Sequence, residues 1–174
     1  MIQRRYTTRG FTLAEMLVSV GLVSLLLLVT IEASLSVGEI HRRSRAYLDV
    51  NSSAVNAFSR FSRDIRRAET VNAVESTLGA SNGRLVLNLR NPDYSYSTQT
   101  FSLASGTVQS FYNGVYTGDL TPRSMDVSNL TFRRFITGST TAIRIEMTVS
   151  PDASSSVPAL NFYGTYVLRG SYAK

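Results

Sequence analysis

The chain passes through three patterns of apolar and polar residues, and the first is a continuous apolar run. Phe11–Ile31 holds 21 residues, of which only Glu15 is charged. A helix of that length covers roughly 30 Å, the thickness of the hydrocarbon core of a bilayer. Soluble helices are rarely apolar on every face at this length, and the small-residue cleavage pattern of a secretory signal peptide is weak after this run. The run therefore predicts a transmembrane helix, with a buried soluble helix and a signal peptide as the alternatives.

An amphipathic helix is predicted to continue over residues 32–72, which contain no proline. Its apolar positions recur at steps of four and three, at Ala54, Phe58, Phe61, Ile65 and Ala68. The opposite face carries Arg60, Arg63, Asp64 and Arg67, and Glu39–Arg43 and Arg60–Asp64 have i,i+4 spacing. We expect this polar face to be solvated; a basic strip for DNA or another anionic partner is the alternative.

Residues 73–174 alternate in the manner of β-strands. The clearest strand is Arg84–Arg90, and Asn113-Gly114 is typical of a two-residue hairpin turn between Val108–Tyr112 and Val115–Thr117. Further strands are predicted at Tyr94–Leu103, Val127–Ile136, Thr141–Val149 and Ala159–Arg169, with a loop at Ser150–Pro158. The predicted fold is α+β, with five to seven strands in an antiparallel sheet that covers the amphipathic half of the helix.

The amino-acid composition limits the catalytic and metal-binding chemistry that the chain can carry out. The chain of 174 residues has no cysteine and one histidine, His41, which excludes disulfides, cysteine-ligated metals and thiol catalysis. No phosphate-binding loop, nucleophile elbow, HExxH or EF-hand spacing occurs. We expect a non-enzymatic protein without metal or cofactor, whose scattered acids lie at the surface: Asp93, Asp119, Asp126, Glu146 and Asp152.

The formal net charge is +6, and Arg4, Arg5 and Arg9 supply half of it before the apolar run begins. Positive charge before a membrane span holds that end of the chain in the cytoplasm. A second arginine cluster at residues 42–45 lies beyond the span, where a positive excess is disfavoured, but the first charges usually fix the orientation. We expect a single-pass protein with a cytoplasmic N-terminus.

Glu15 needs a partner, because a carboxylate at bilayer depth costs several kcal/mol. Phe11–Ile31 contains no basic residue. If the chain were cut after Gly10, Phe11 would carry a new α-amino group one helical turn from Glu15. That cation would be within reach of its own carboxylate or of the carboxylate of a neighbouring copy. Cleavage at this bond would create the missing counter-ion.

The residues around this bond resemble a known signal. Arg9-Gly10-Phe11-Thr12-Leu13-Ala14-Glu15, followed by a long apolar helix, is similar to the class III signal sequence of type IV pilins and type II secretion pseudopilins. The resemblance implies that a prepilin peptidase cuts between Gly10 and Phe11 and methylates the amine of Phe11. It also implies that Glu15 is the assembly charge, paired with the Phe11 amine of an adjacent subunit.

The resemblance organises the chain into a leader at 1–10, a transmembrane helix half at 11–31, an amphipathic helix half at 32–72 and a β-sheet domain at 73–174. Together these parts make the pilin-like ladle. The implied location is the bacterial inner membrane, with a periplasmic C-terminal domain and assembly into a pilus or pseudopilus. The implied partners are prepilin peptidase, other pilin or pseudopilin subunits, the inner-membrane assembly platform and membrane lipid.

Within this family the sequence is most similar to minor subunits, the J-type pseudopilins and W-type minor pilins. The similar stretches are Arg63–Ala68, Ile143–Ile145 and Tyr166–Arg169. Major pilins commonly have a helix-kinking proline and a C-terminal disulfide loop, which this chain lacks, and only Asp152 lies where major pseudopilins bind calcium. The resemblance therefore implies a minor, non-catalytic filament subunit.

Two other interpretations stay open. One is a competence pseudopilin that aids DNA uptake, since tyrosines concentrated in strands and turns would allow stacking on single-stranded DNA; packing on strand faces is the ordinary explanation for them. These tyrosines are Tyr94, Tyr96, Tyr112, Tyr116, Tyr163, Tyr166 and Tyr172. The other interpretation is a single-pass anchored periplasmic binding protein, but an anchor gains nothing from a glutamate at position 15.

Overall fold

The computed structural model describes residues 12–138, 140–151 and 157–169. The chain divides into two compact units, residues 1–42 and 43–174. The described residues form one long helix, α1 (Leu13–Arg67), followed by eight strands. The predicted fold class, α+β with a long N-terminal helix and antiparallel strands, is confirmed.

The strands of the second unit form two antiparallel sheets, with the orders β1-β2-β3-β4-β5 and β6-β7-β8. Their bounds are β1 Ala68–Val71, β2 Arg84–Arg90, β3 Tyr96–Ala104, β4 Thr107–Tyr112, β5 Val115–Asp119, β6 Met125–Thr137, β7 Thr140–Pro151 and β8 Leu160–Val167. The prediction of a single sheet was wrong, because strand pairing is non-local and β5 does not pair with β6. A parallel bridge between Asn82 and Leu130 links the segment before β2 to β6.

The core lies where α1 covers both sheets. The helix buries a stripe with steps of four, three, four and four, at Val50, Ala54, Ala57, Phe61 and Ile65. The ring of Phe61 meets Phe101 on β3 at 4.9 Å and Phe132 on β6 at 5.9 Å, both edge to face. One helix residue therefore holds a strand of each sheet, and the predicted apolar face of the helix is confirmed at Ala54, Phe61 and Ile65.

Two parts of the helix prediction are wrong. The helix ends at Arg67 instead of continuing to residue 72. Residues Ala68–Val71 form β1, because their backbone groups pair with β2 and not with the preceding helical turn. Asp64 was predicted on the solvated face, yet it is buried. Burial of this carboxylate is possible because Arg60 Nε donates a hydrogen bond to Asp64 Oδ2 at 2.8 Å and Arg63 Nε lies 3.7 Å from Oδ1.

The strands that the sequence predicts are confirmed. β2 has its predicted bounds, and the ends of the other predicted strands differ from the prediction by no more than two residues. Asn113 and Gly114 both have positive φ, at 50° and 78°, which is the requirement of a type I′ hairpin turn. Asp152 of the predicted loop lies outside the described residues.

Candidate functional site

The first described residues form a helix cap. The carbonyl of Thr12 accepts a hydrogen bond from the amide of Met16 at 3.1 Å, and its hydroxyl accepts one from the amide of Glu15 at 3.3 Å. Thr12 is therefore the N-cap and Glu15 the third helical residue, the arrangement of a capping box. A carboxylate in this first turn also interacts favourably with the positive end of the helix dipole.

The helix that follows presents apolar side chains on every face. All described residues from Thr12 to Arg45 are exposed, and the large apolar ones between Leu13 and Ile31 are more than half exposed. Of the described helices, α1 alone is long and apolar enough to cross a membrane. Within residues 12–42 of the first unit nothing covers this surface, so lipid or other chains would have to do so.

The hydroxyl groups inside the apolar run are satisfied by the helix itself. Ser24 Oγ donates to the carbonyl of Val20 at 2.8 Å, and Thr30 Oγ1 donates to the carbonyl of Leu26. Such i→i−4 bonds remove the cost of placing a hydroxyl in hydrocarbon. Glu15 is different: within the part of the chain that the structure describes, its carboxylate makes no salt bridge.

The predicted cleavage residues Gly10 and Phe11 lie outside the described residues, so Glu15 is the one predicted site residue with a described position. Glu15 lies in the first turn of the helix, at the end where cleavage would create the Phe11 amine. Thr12 was missed as a functional residue at the sequence level. The Thr12-x-x-Glu15 spacing of a capping box was the signal that would have found it.

Comparison with known families agrees with this reading of the N-terminus. Residues 5–31 match the family model described as the prokaryotic N-terminal methylation motif, a stretch that contains Gly10, Phe11 and Glu15. No curated protein and no solved structure matches the chain. The motif and the apolar helix behind it support a type IV pilin-like protein with N-terminal methylation and a transmembrane helix.

The tyrosines of the second unit are mostly at its surface. Tyr94, Tyr96, Tyr112, Tyr116 and Tyr163 are exposed, so packing into the core does not explain them. Two are already covered by arginine: the guanidinium of Arg90 lies 4.9 Å from the ring centre of Tyr94, and that of Arg144 lies 5.7 Å from the ring centre of Tyr163. DNA binding stays a prediction, and Tyr172 lies outside the described residues.

The titratable groups of the second unit form small surface pairs. The hydroxyl of Tyr116 donates to Asp119 Oδ1 at 2.7 Å, which lowers the pKa of Asp119 and raises the pKa of Tyr116. Bonds from the hydroxyl and amide of Ser95 lower the pKa of Asp93. The hydrogen bonds behind these shifts are local, within the turn before β3 and within β5. Among the described residues, no three His, Asp or Glu side chains come together as a metal site.

Proposed function

We propose that the chain is a minor pilin or pseudopilin, a non-catalytic subunit of a type IV pilus or type II secretion filament. The observation that carries the proposal is the methylation motif at residues 5–31, placed at the start of a fully exposed apolar helix. In this proposal prepilin peptidase removes residues 1–10 and methylates the amine of Phe11. The mature helix then leaves the membrane for the filament, where neighbouring helices cover its apolar surface.

Glu15 has a defined electrostatic role in this proposal. After cleavage the Phe11 amine would add a full positive charge at the N-terminal end of α1. That end is already positive, because the first backbone N–H groups of a helix have no carbonyl partner. The carboxylate at the third helical position balances that charge within its own chain in the membrane. In the filament it pairs with the Phe11 amine of the adjacent subunit, so that neither charge is left alone in an apolar environment.

The minor-subunit assignment rests on the second unit. The helix ends within the stretch Arg63–Ala68, where the buried Asp64 is paired with Arg60 and Arg63. The chain also carries no cysteine, so it cannot form the C-terminal disulfide loop of major pilins. We further propose that the arginines before the span hold the N-terminus in the cytoplasm and place the β-sheet unit in the periplasm.

The test is the mass of the mature N-terminus, measured after expression of the full chain in a bacterium that has prepilin peptidase. We expect a protein that begins at Phe11 with a methylated amine. Gly10→Val should block the cut, because the peptidase must bind the backbone closely at the junction and a branched side chain would hold it away. The matched control is Gly21→Val, at a helical glycine with no neighbouring atom within 4 Å of an added Cβ, and it should be cut normally.

An intact leader in the wild-type protein, or a cut near the end of the apolar run, would contradict the proposal. The first result would favour an anchored periplasmic protein and the second a secreted one.

A further inference from the structure

Three of the four sheet edges in the second unit are blunted. β1 is four residues long and carries a register shift at Glu69, and β5 has a register shift against β4 and ends on Asp119. The outer side of β6 is bonded by the segment between β1 and β2, since the amide of Gly83 donates to the carbonyl of Leu130 at 2.8 Å. Short, bulged, charged or covered edges are the usual protection against pairing with another chain.

Within residues 12–138, 140–151 and 157–169, the fourth edge, β8, has none of these protections. Its sequence Leu-Asn-Phe-Tyr-Gly-Thr-Tyr-Val contains no charge and no proline. It pairs with β7 over eight consecutive residues without a register shift. A regular, uncharged edge strand of this length is a template for the addition of a further strand.

The backbone groups that face outward from β8 can be identified. The amide of Leu168 donates to Thr141 on the β7 side at 3.0 Å, and the amide of Arg169 donates outward to the carbonyl of Arg66 at 3.2 Å. Because the direction alternates along a strand, the odd-numbered residues of β8 direct their N–H and C=O groups away from β7. These are Asn161, Tyr163, Thr165 and Val167, and no other described residue bonds to these groups.

A groove of about 580 Å³ runs between β8 and the helix, lined by Val55, Phe58, Ser62, Arg63, Arg66 and Tyr166. Val55 is 54% exposed and Phe58 is half-buried, so apolar surface is left open there. Phe58 forms the floor of the groove where it packs on β8 at Gly164, since an added Cβ there would lie 2.7 Å from its ring. Beside the unpaired edge, the molecule therefore leaves a channel for an extended chain.

The charge of the groove selects the occupant. Arg66 makes no salt bridge within the described residues, and Arg63 shares the carboxylate of Asp64 with Arg60. The groove is positive, and an acidic segment fits it. A second copy of this chain fits poorly, because β8 offers no acid and would bring the same arginines together.

We propose that the outer edge of β8 binds an extended, acidic segment of a different filament subunit as an added β-strand. This inference rests on the proposed function, because it takes the partner to be another subunit of the same filament. Main-chain hydrogen bonds to the outward residues supply the affinity, and the arginines of the groove supply the preference for acidic side chains.

The first test removes one outward hydrogen-bond donor. Thr165→Pro deletes the outward N–H of β8 without touching a bond to β7, and the preceding Gly164 tolerates a following proline because it has no Cβ. The matched control is Thr165→Ala, which keeps the N–H. Full-length protein is followed into sheared filaments of its host; we expect Thr165→Pro to reduce incorporation about tenfold and Thr165→Ala to leave it unchanged.

The second test changes the charge of the groove without touching the strand. Arg66→Glu should reduce incorporation at least about fivefold, whereas Arg67→Glu, on the same helix turn but outside the groove, should not. Because both arginine variants leave β8 unchanged, this pair tests the inference even if the Thr165→Pro protein fails to fold. Equal incorporation of Arg66→Glu and Arg67→Glu would overturn the charge argument.

The third test identifies the occupant. A photoreactive phenylalanine at Tyr163, on the outward edge, is compared with one at Tyr94, in the turn before β3, and cross-linked peptides are identified by mass spectrometry. We expect the Tyr163 position alone to cross-link to an acidic peptide of a different subunit. A cross-link to residues 170–174 of the same chain, a cross-link to a second copy, or no cross-link in assembled filaments would each overturn the inference. If the wild-type chain is absent from filaments altogether, the proposed function fails and this inference fails with it.

Discussion

The amide of Glu15 donates a hydrogen bond to the hydroxyl oxygen of Thr12 at 3.3 Å. This bond fixes the first turn of α1 and therefore fixes where the Glu15 carboxylate stands relative to the start of the helix. The same short stretch carries the proposed cleavage junction, the new amine and its counter-ion. Helix capping and the proposed filament assembly thus depend on adjacent residues.

Loss of the cap should loosen the first turn. Thr12→Ala removes the side-chain acceptor of the Glu15 amide and should cost about 1 kcal/mol, whereas Thr12→Ser keeps the hydroxyl. Amide hydrogen exchange of the full-length protein in detergent micelles measures this directly. We expect exchange of residues 13–16 to rise about fivefold in Thr12→Ala and to stay unchanged in Thr12→Ser. Equal exchange in all three proteins would show that the cap does not hold this turn.

Phe61 should be the most costly helix residue to truncate in the second unit, because its ring touches a strand of each sheet. Phe61→Ala should lower the free energy of unfolding by roughly 3–5 kcal/mol. Phe135→Ala, at a ring that is 49% exposed, should change it by no more than about 0.5 kcal/mol. Urea unfolding of the full-length protein in detergent, followed by the near-ultraviolet signal of tyrosine, measures both. A similar loss for the two variants would place the core elsewhere.

Gly164 should tolerate no larger residue while Phe58 is present. The Cβ of Gly164→Ala would lie 2.7 and 2.8 Å from the ring of Phe58 and 3.0 Å from the hydroxyl of Tyr166. We expect a loss of about 1–3 kcal/mol. In a Phe58→Ala background the same change should cost much less, because the clash is gone, so the double-mutant cycle should show coupling. Additive losses of unfolding free energy would show that there is no steric clash between an alanine at position 164 and the ring of Phe58.

High pH should weaken the second unit through Tyr166. Burial raises the pKa of the Tyr166 phenol, although the charge of Arg66 opposes the shift. The neutral phenol therefore favours the folded state; its contribution is complete below the ordinary tyrosine pKa of about 10 and is lost as the pH rises through the higher pKa of the folded state. Urea midpoints between about pH 8 and pH 11 should fall less steeply for Tyr166→Phe than for the wild type. Tyr96→Phe, at an exposed ring, serves as the control.

Much of the fold was predictable because local patterns determine it. The alternation of Arg84–Arg90 and the Asn113-Gly114 turn identify their elements without tertiary information. The helix end was not predictable, since Ala68–Val71 becomes a strand only because β2 lies beside it. The division into two sheets has the same origin, as partner choice between strands is decided by contacts far apart in sequence.

The candidate site was predictable to a different degree. Glu15 stood out because a charge in an apolar run has no local explanation, and that reasoning needs no structure. Asp64 was misplaced because helical periodicity treats a charge as solvated, whereas Arg60 and Arg63 allow it to be buried. The open edge of β8 could not be read from its sequence, because only the topology shows which strand is left without a neighbour.

Fractionation of a Glu15→Gln protein tests most directly whether Glu15 drives the proposed assembly. The change removes the charge but leaves the helix able to span a bilayer and leaves the Gly10-Phe11 junction intact. Membranes and sheared filaments are compared for wild type, Glu15→Gln and Glu32→Gln, which removes the next acid of the same helix. We predict that all three proteins begin at Phe11, and that only Glu15→Gln stays in the membrane, with at least about a tenfold loss from filaments. Incorporation of Glu15→Gln at the wild-type level would contradict the pairing of Glu15 with the Phe11 amine and would leave packing of the apolar helices as the driving force.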